Sequence, residues 1–278
     1  MILHDMTLIL LLSLCAAIGS IVLFSITLMK VDTAGTKFWA AGFALFSVSF
    51  AALILFHNIS YENRSFIFLI SLLSGHALIV AGAWHYIGYL IPTHRMAMLF
   101  VPIVIITFLL TFVWPNRELK ILLVGVWVII IRLLFVNILC CRAYESLHEK
   151  RVSILIGAVA VTEIVLYVLF TYLGWSGQVG YINNSGAIPI VGWLGALLGI
   201  TVGAPLLLLL STTKFISDLD KAAHTDLLTG LLNRRGFYDS LTPMMALQKR
   251  QNADWGVLML DVDWFKKVND KFGHLVGD

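Results

Sequence analysis

The chain has 278 residues, of which 59% are hydrophobic and only 13% charged, with a net charge of +3. A soluble domain carries about a quarter charged residues, so this composition and a mean hydropathy of +0.91 exclude a chain solvated mainly by water. No nucleic-acid partner is expected. Three cysteines, Cys15, Cys140 and Cys141, lie in or beside apolar segments without metal-type spacing, and read as small buried hydrophobes.

The first apolar run, Met6–Met29, is followed rather than preceded by its nearest basic residue, Lys30. A secretory signal has a basic start and a shorter apolar core. About 24 apolar residues at helical rise cross a ~30 Å hydrocarbon layer, so the run is read as an uncleaved span. Six further spans are expected at Lys37–Phe56, Ser65–Tyr89, Met96–Trp114, Leu119–Cys140, Val152–Leu173 and Ile188–Leu210. Residues 1–210 thus form a seven-helix transmembrane domain, expected to act as a sensor. The gap Gly174–Ala187 is rich in Gly, Asn and Ser and carries no charge.

Basic residues orient the chain. With the N-terminus outside, inner loops hold Lys30, Lys37, Arg95, Arg142, Lys150 and Arg151, and outer loops hold Arg64, Arg117 and Lys120. That asymmetry follows the positive-inside rule. It places the C-terminus in the cytoplasm of a bacterial inner membrane.

Three polar residues fall inside spans. Arg132 precedes Cys141 by nine residues and Glu163 follows Val152 by eleven, depths of roughly 13 and 16 Å from the inner edge. Consecutive antiparallel helices then hold opposite charges at one level, which suggests an ion pair. With His76, near the middle of the third span, they form a candidate intramembrane ligand or proton-sensing site; the alternative is a structural tie between helices. Trp84-His85-Tyr86 partly resembles the MHYT sensor motif, proposed to bind copper. Trp84 replaces its Met and the other repeats are missing, so interfacial anchoring is the preferred reading.

At Ser211 the composition turns polar. Residues 211–224 read as a helical linker continuing the seventh span, with Phe215, Leu219 and Ala222 on one face. In Thr225–Phe237, Thr225 or Asp226 could cap a short helix, while Gly230 and Asn233 suit a turn. A helix through Gln251 is expected next. Trp255–Leu260 then reads as a buried strand, ending in Asp261-Val262-Asp263 and followed by a helix from Trp264. Carboxylates beyond a strand end offer hard oxygens to Mg²⁺, and a helix start with Lys266 offers positive charge to phosphates. Asn269 can both donate to and accept from a base edge.

The segments DLLTGLLNRRGF and LMLDVDWFKKVNDKFGHLVGD resemble the two N-terminal signature blocks of the GGDEF, or diguanylate cyclase, family. Residues 225–278 would be the N-terminal third of its α/β, nucleotidyl-cyclase-like domain. The resemblance implies that Asp261 and the carbonyl of Val262 bind Mg²⁺ (or Mn²⁺), Lys266 the phosphates, and Asn269 and Asp278 the guanine of GTP. It implies a structural role for Asp226, Asn233 and Arg235, and turn structure at Gly273 and His274. It further implies a homodimer, formed through the linker and this domain, that joins two GTP molecules into cyclic di-GMP. The chain stops before the Gly-Gly-Asp/Glu-Glu-Phe loop, and the upstream Arg-x-x-Asp inhibitory site is absent. No catalytic residue is therefore expected within these residues; the chain reads as a truncated product, inactive alone. A degenerate GTP-binding module of a cyclic di-GMP phosphodiesterase, or a non-enzymatic membrane receptor, is the alternative.

Overall fold

The computed structural model describes residues 2–28, 35–90, 93–142, 144, 146–175, 190–226, 228–251 and 256–277. Seven of its helices are long and apolar enough to cross a membrane. They are α1 (Ile2–Leu28), α2 (Thr36–Leu55), α3 (Tyr61–Tyr86), α4 (Thr93–Phe108), α5 (Arg117–Cys140), α6 (Leu147–Trp175) and the continuous pair α7 (Ile190–Leu198) and α8 (Ala204–His224). A π-helical turn, Gly199–Gly203, joins α7 to α8, and a second, Leu109–Val113, ends α4. The spans agree with expectation in number and order. The helix ending in α8 runs past the expected Leu210 boundary to His224.

Lipid offers helices no hydrophobic drive to associate, so close backbone approach and interhelical hydrogen bonds hold such a bundle together. The seam between α2 and α3 shows how. Gly35 meets Gly82, Gly42 meets Gly75, and Ser49 Oγ donates to the Phe68 carbonyl at 2.8 Å. The paired numbers step by seven along both helices, which is the antiparallel register of a left-handed coil. A Cβ on Gly82 would lie 2.3 Å from Trp39 Nε1, which donates instead to the Ile79 carbonyl at 3.0 Å. On the other side of α2 the same step recurs in α1. Ser13 Oγ donates to the Ser47 carbonyl at 3.1 Å and Ser20 Oγ to the Ala40 carbonyl at 2.8 Å.

The chain divides into two compact units, Met1–Phe215 and Ile216–Asp278. In the second, α9 (Arg234–Gln251) and α10 (Phe265–Phe272) form where helices are expected, followed by the short α11 (His274–Gly277). The buried strand does not form. Residues 256–262 have no regular structure, and Leu258, Met259 and Leu260 are 83%, 90% and 84% exposed. A strand is stable only when a neighbour completes its ladder, and among the described residues the only β pairing is the isolated bridge Thr225–Leu232. Trp255 lies outside the described residues.

Candidate functional site

The first signature block is a closed loop that joins the end of α8 to the start of α9. Asp226 caps the turn, not a helix: Oδ1 accepts from the Leu228 and Thr229 amides at 3.2 and 3.0 Å and from Thr229 Oγ1 at 2.9 Å. Those bonds, led by the Thr229 amide, hold the Asp226 carboxyl below its usual range. Gly230, at φ +70°, takes a left-handed conformation that Cβ-bearing residues avoid. The short helix that Thr225 or Asp226 would cap is not present among the described residues; Asn233 instead caps the start of α9. Its Oδ1 accepts from the Gly236 amide at 3.0 Å, and its Nδ2 donates to the Ala223 and Thr225 carbonyls. Arg235 lies on the outer face of α9, 3.8 Å from Asp239. Leu227 lies outside the described residues.

The second block is open. Asp261, Val262 and Asp263 are exposed in the segment before α10. The Val262 carbonyl accepts from the Phe265 amide at 3.3 Å and keeps a second lone pair. Trp264 adopts φ +60°, and the Lys267 ammonium lies 3.7 Å from the centre of its ring. The Lys267 amide bonds the Trp264 carbonyl at 2.8 Å, so this amide is not free for a phosphate. Lys266 is exposed beside it. Asn269 is half-buried and its Oδ1 has no hydrogen-bond partner. Gly273, at φ +83°, terminates α10, and His274 opens the short helix after it. Asp278 lies outside the described residues. The donors are hard oxygens, which fit Mg²⁺ by type. No three His, Cys, Asp or Glu side chains gather around one point among the described residues.

Within the bundle, Arg132 and Glu163 meet. Arg132 Nη2 hydrogen-bonds Glu163 Oε1 at 3.2 Å and lies 3.0 Å from Oε2 without hydrogen-bond geometry. Glu163 is 1% exposed. It packs so closely on the π turn that a Cβ at Gly199 would collide with Oε1. Phe43, Phe46, Phe135, Gly199 and Gly203 line a cavity with the pair. His76 packs edge-on against Phe46, with ring centres 4.9 Å apart. Its Nδ1 donates to the Leu72 carbonyl at 2.8 Å, which leaves Nε2 a buried acceptor without a hydrogen-bond partner.

A second polar cluster escaped sequence reading. Tyr86, at the end of α3, donates its hydroxyl to Glu149 Oε1 at 2.9 Å, and Arg142 pairs with the same carboxylate. Lys214 on α8 donates to the Tyr86 carbonyl at 2.9 Å, with its ammonium 4.9 Å from the ring centre. Arg142 lies over the same ring at 5.0 Å. Tyr86, the Arg142–Glu149 pair and Lys214 stand far apart in sequence, so only the basic residues at these span ends could have hinted at the cluster.

The family model that matches lies within the C-terminal unit. Residues 223–278 match the family model described as "Diguanylate cyclase, GGDEF domain". Diguanylate cyclase DgcM of Escherichia coli K12 is 45% identical over 61 residues, 22% of this chain and 15% of that protein. Diguanylate cyclase DgcS of Shewanella oneidensis is 41% identical over 76 residues, 27% of this chain and 25% of that protein. Cyclic di-GMP phosphodiesterase PdeR of Escherichia coli K12 is 48% identical over 56 residues, 20% of this chain and 8% of that protein. The chain thus spans at most a quarter of the length of these three relatives. No solved structure matches it. Behind seven helices of membrane-spanning length, the chain carries GGDEF-domain sequence from residue 223 onward.

Proposed function

We propose that the chain is the membrane and N-terminal cyclase part of a diguanylate cyclase whose output is set by the seven-helix domain, residues 1–210, through the linker, residues 211–224. The observation that carries the reading is Asp261-Val262-Asp263 placed directly before a helix inside the matched segment. Asp261 and the Val262 carbonyl would hold Mg²⁺ (or Mn²⁺), which when bound neutralises phosphate charge and orients the reacting groups. Lys266 would steer the phosphates, and Asn269 and Asp278 would select guanine. The family's GGDEF loop supplies the rest of the site, so the 278 residues are inactive alone. Two such domains, each with one GTP, would face each other in a homodimer. The basic asymmetry of the loops supports an inner-membrane protein with its N-terminus outside and C-terminus in the cytoplasm.

The test joins the loop-bearing remainder of the DgcM domain after Asp278. We expect membranes bearing this fusion to convert GTP and Mg²⁺ to cyclic di-GMP, and Asp261→Ala to abolish that synthesis. Full activity of the Asp261→Ala fusion, or robust synthesis by the 278-residue chain itself, would refute the assignment. The similarity to PdeR favours one other reading, a GTP-binding module that regulates a phosphodiesterase. That reading predicts GTP binding without product once the chain carries its own loop region in place of that of DgcM.

A further inference from the structure

Two kinds of contact tie the end of α8 to α9. The first is indifferent to pH: the Asn233 amide donates to the His224 carbonyl at 2.9 Å, and Asn233 Nδ2 donates to the Ala223 and Thr225 carbonyls. The second runs through the imidazole of His224, the last residue of α8, half-buried and beyond the Leu210 end expected for the seventh span. Its Nδ1 lies 2.7 Å from the Asp220 carbonyl oxygen and 3.3 Å from Asp220 Oδ1. Its Nε2 lies 2.9 Å from Asp239 Oδ2 in the second turn of α9. Carbonyl and carboxylate oxygens only accept, and a neutral imidazole has one N–H, so both bonds exist together only in the imidazolium form. The charged groups that face the ring are Asp220 on its own helix and Asp239 and Arg235 on α9. The bonds to the Asp220 carbonyl and to Asp239 raise the ring above its ordinary value of 6.5, against the opposing charge of Arg235.

We infer that His224 is a proton-operated tie between the end of α8 and the second turn of α9, fastened when the ring carries two protons and released when it carries one. Two oxygens flank Nδ1 and one faces Nε2, so the proton left on the neutral ring stays on Nδ1. That form keeps the bond within α8. Nε2 then turns a lone pair to the Asp239 carboxylate, and the contact between the helices becomes repulsive. Asp239 is not stranded, because Arg235 lies 3.8 Å away on the same helix. A group raised in the folded state contributes stability that is full below its unfolded pKa and lost as pH rises through the folded one. The tie therefore holds in mild acid and opens as pH rises through the raised value, while Asn233 keeps the path of the chain. Only an effect on cyclic di-GMP output rests on the cyclase reading above; the tie itself does not.

The experiment uses the whole 278-residue chain in lipid nanodiscs, with ¹⁵N in the histidine rings and ¹³C in the aspartate carboxyls. Magic-angle-spinning NMR follows it across the pH range in which histidine changes charge. His224→Gln identifies the His224 signals among the eight histidines. We expect both ring nitrogens protonated in acid, with a dipolar contact from Nε2 to the Asp239 carboxyl carbon. With rising pH the ring should pass to the Nδ1–H form and lose that contact, at a midpoint above the ordinary 6.5. Asp239→Asn should lower the midpoint. A neutral ring that keeps the contact through Nε2–H would overturn the release. A midpoint unmoved in Asp239→Asn, or no contact at any pH, would overturn the tie. In the fusion described above, His224→Gln should remove from the pH profile of cyclic di-GMP synthesis the step that coincides with the NMR midpoint. Identical profiles would overturn the effect on output. A fusion without product whose His224 still shows the transition would sink the cyclase reading and leave the tie standing; an active fusion without the transition would do the reverse.

Discussion

The bundle and the C-terminal unit handle their polar groups in opposite ways. In the bundle, Ser13, Ser20 and Ser49 each bond a backbone carbonyl of the neighbouring helix, and Arg132 meets Glu163. These side chains reach across helices, while Thr162 and Ser211 bond carbonyls four residues back in their own helices. In the C-terminal unit the first signature block satisfies its polar groups within a dozen residues, through Asp226 and Asn233. The second block, including Asp261, stays exposed. The contrast teaches that a local motif can fold from its own bonds, whereas a strand-based motif waits for neighbouring strands.

The sharpest way to break that contrast is to unpair the bundle's charges. Arg132→Ala or Glu163→Ala leaves one buried charge without a partner, at a cost of about 3–5 kcal/mol. We expect a severe loss of folded protein for either single variant and a smaller loss for the double, read as a double-mutant cycle on detergent-solubilised yield. Additive losses would show that the pair does not act as a unit.

A smaller effect is expected at the α2–α3 seam. Gly82→Ala drives a methyl into the Trp39 indole, and overpacking of this kind costs about 1–3 kcal/mol. The midpoint of thermal unfolding should fall. Gly203→Ala, in open space, serves as the control and should leave it unchanged.

The smallest effect belongs to the first signature block. Hydrogen bonds from Thr229 and Leu228 hold Asp226 below its ordinary value of 3.8. A carboxylate depressed in this way contributes stability above its unfolded pKa, and the contribution is lost as pH falls through the lowered folded value. The Leu228 and Thr229 amide resonances should therefore hold their positions above that ordinary value and shift together only below it. In Asp226→Ala the acid transition of these resonances should vanish. An unaltered transition would show that another group caps the turn.

Much of the bundle was legible because the bilayer fixes how long a span must be. Simple rise arithmetic put Arg132 and Glu163 at one depth, and the two side chains are in contact. The glycine seam was not legible, because a seven-residue step in Gly35, Gly42 and Ser49 acquires meaning only once α3 is known to be its partner. The Tyr86–Glu149–Lys214 cluster was hidden for the same reason, joining residues up to 128 positions apart. In the C-terminal unit the residues of the motif were readable but the strand was not realised. An apolar run reports what could pair, and only a neighbour decides whether it does. Asp226 was misread as a helix cap because the same short side chain closes turns equally well.

The π turn at Gly199–Gly203 has an effect on direction as well as on packing. Bonding five residues back instead of four admits one extra residue into the helix without adding a turn. Everything beyond it, from Leu207 to Lys214, is therefore set back by about 100° from the course of an uninterrupted α-helix. Deleting a single residue from this turn would leave composition, hydropathy and length of span almost untouched. It would nonetheless turn Lys214 away from Tyr86 and re-aim Leu207 and Leu210 within the bundle. The turn works as a phase setting, and the face that Leu207 to Lys214 turn to the bundle depends on one residue of slack held beside a buried carboxylate.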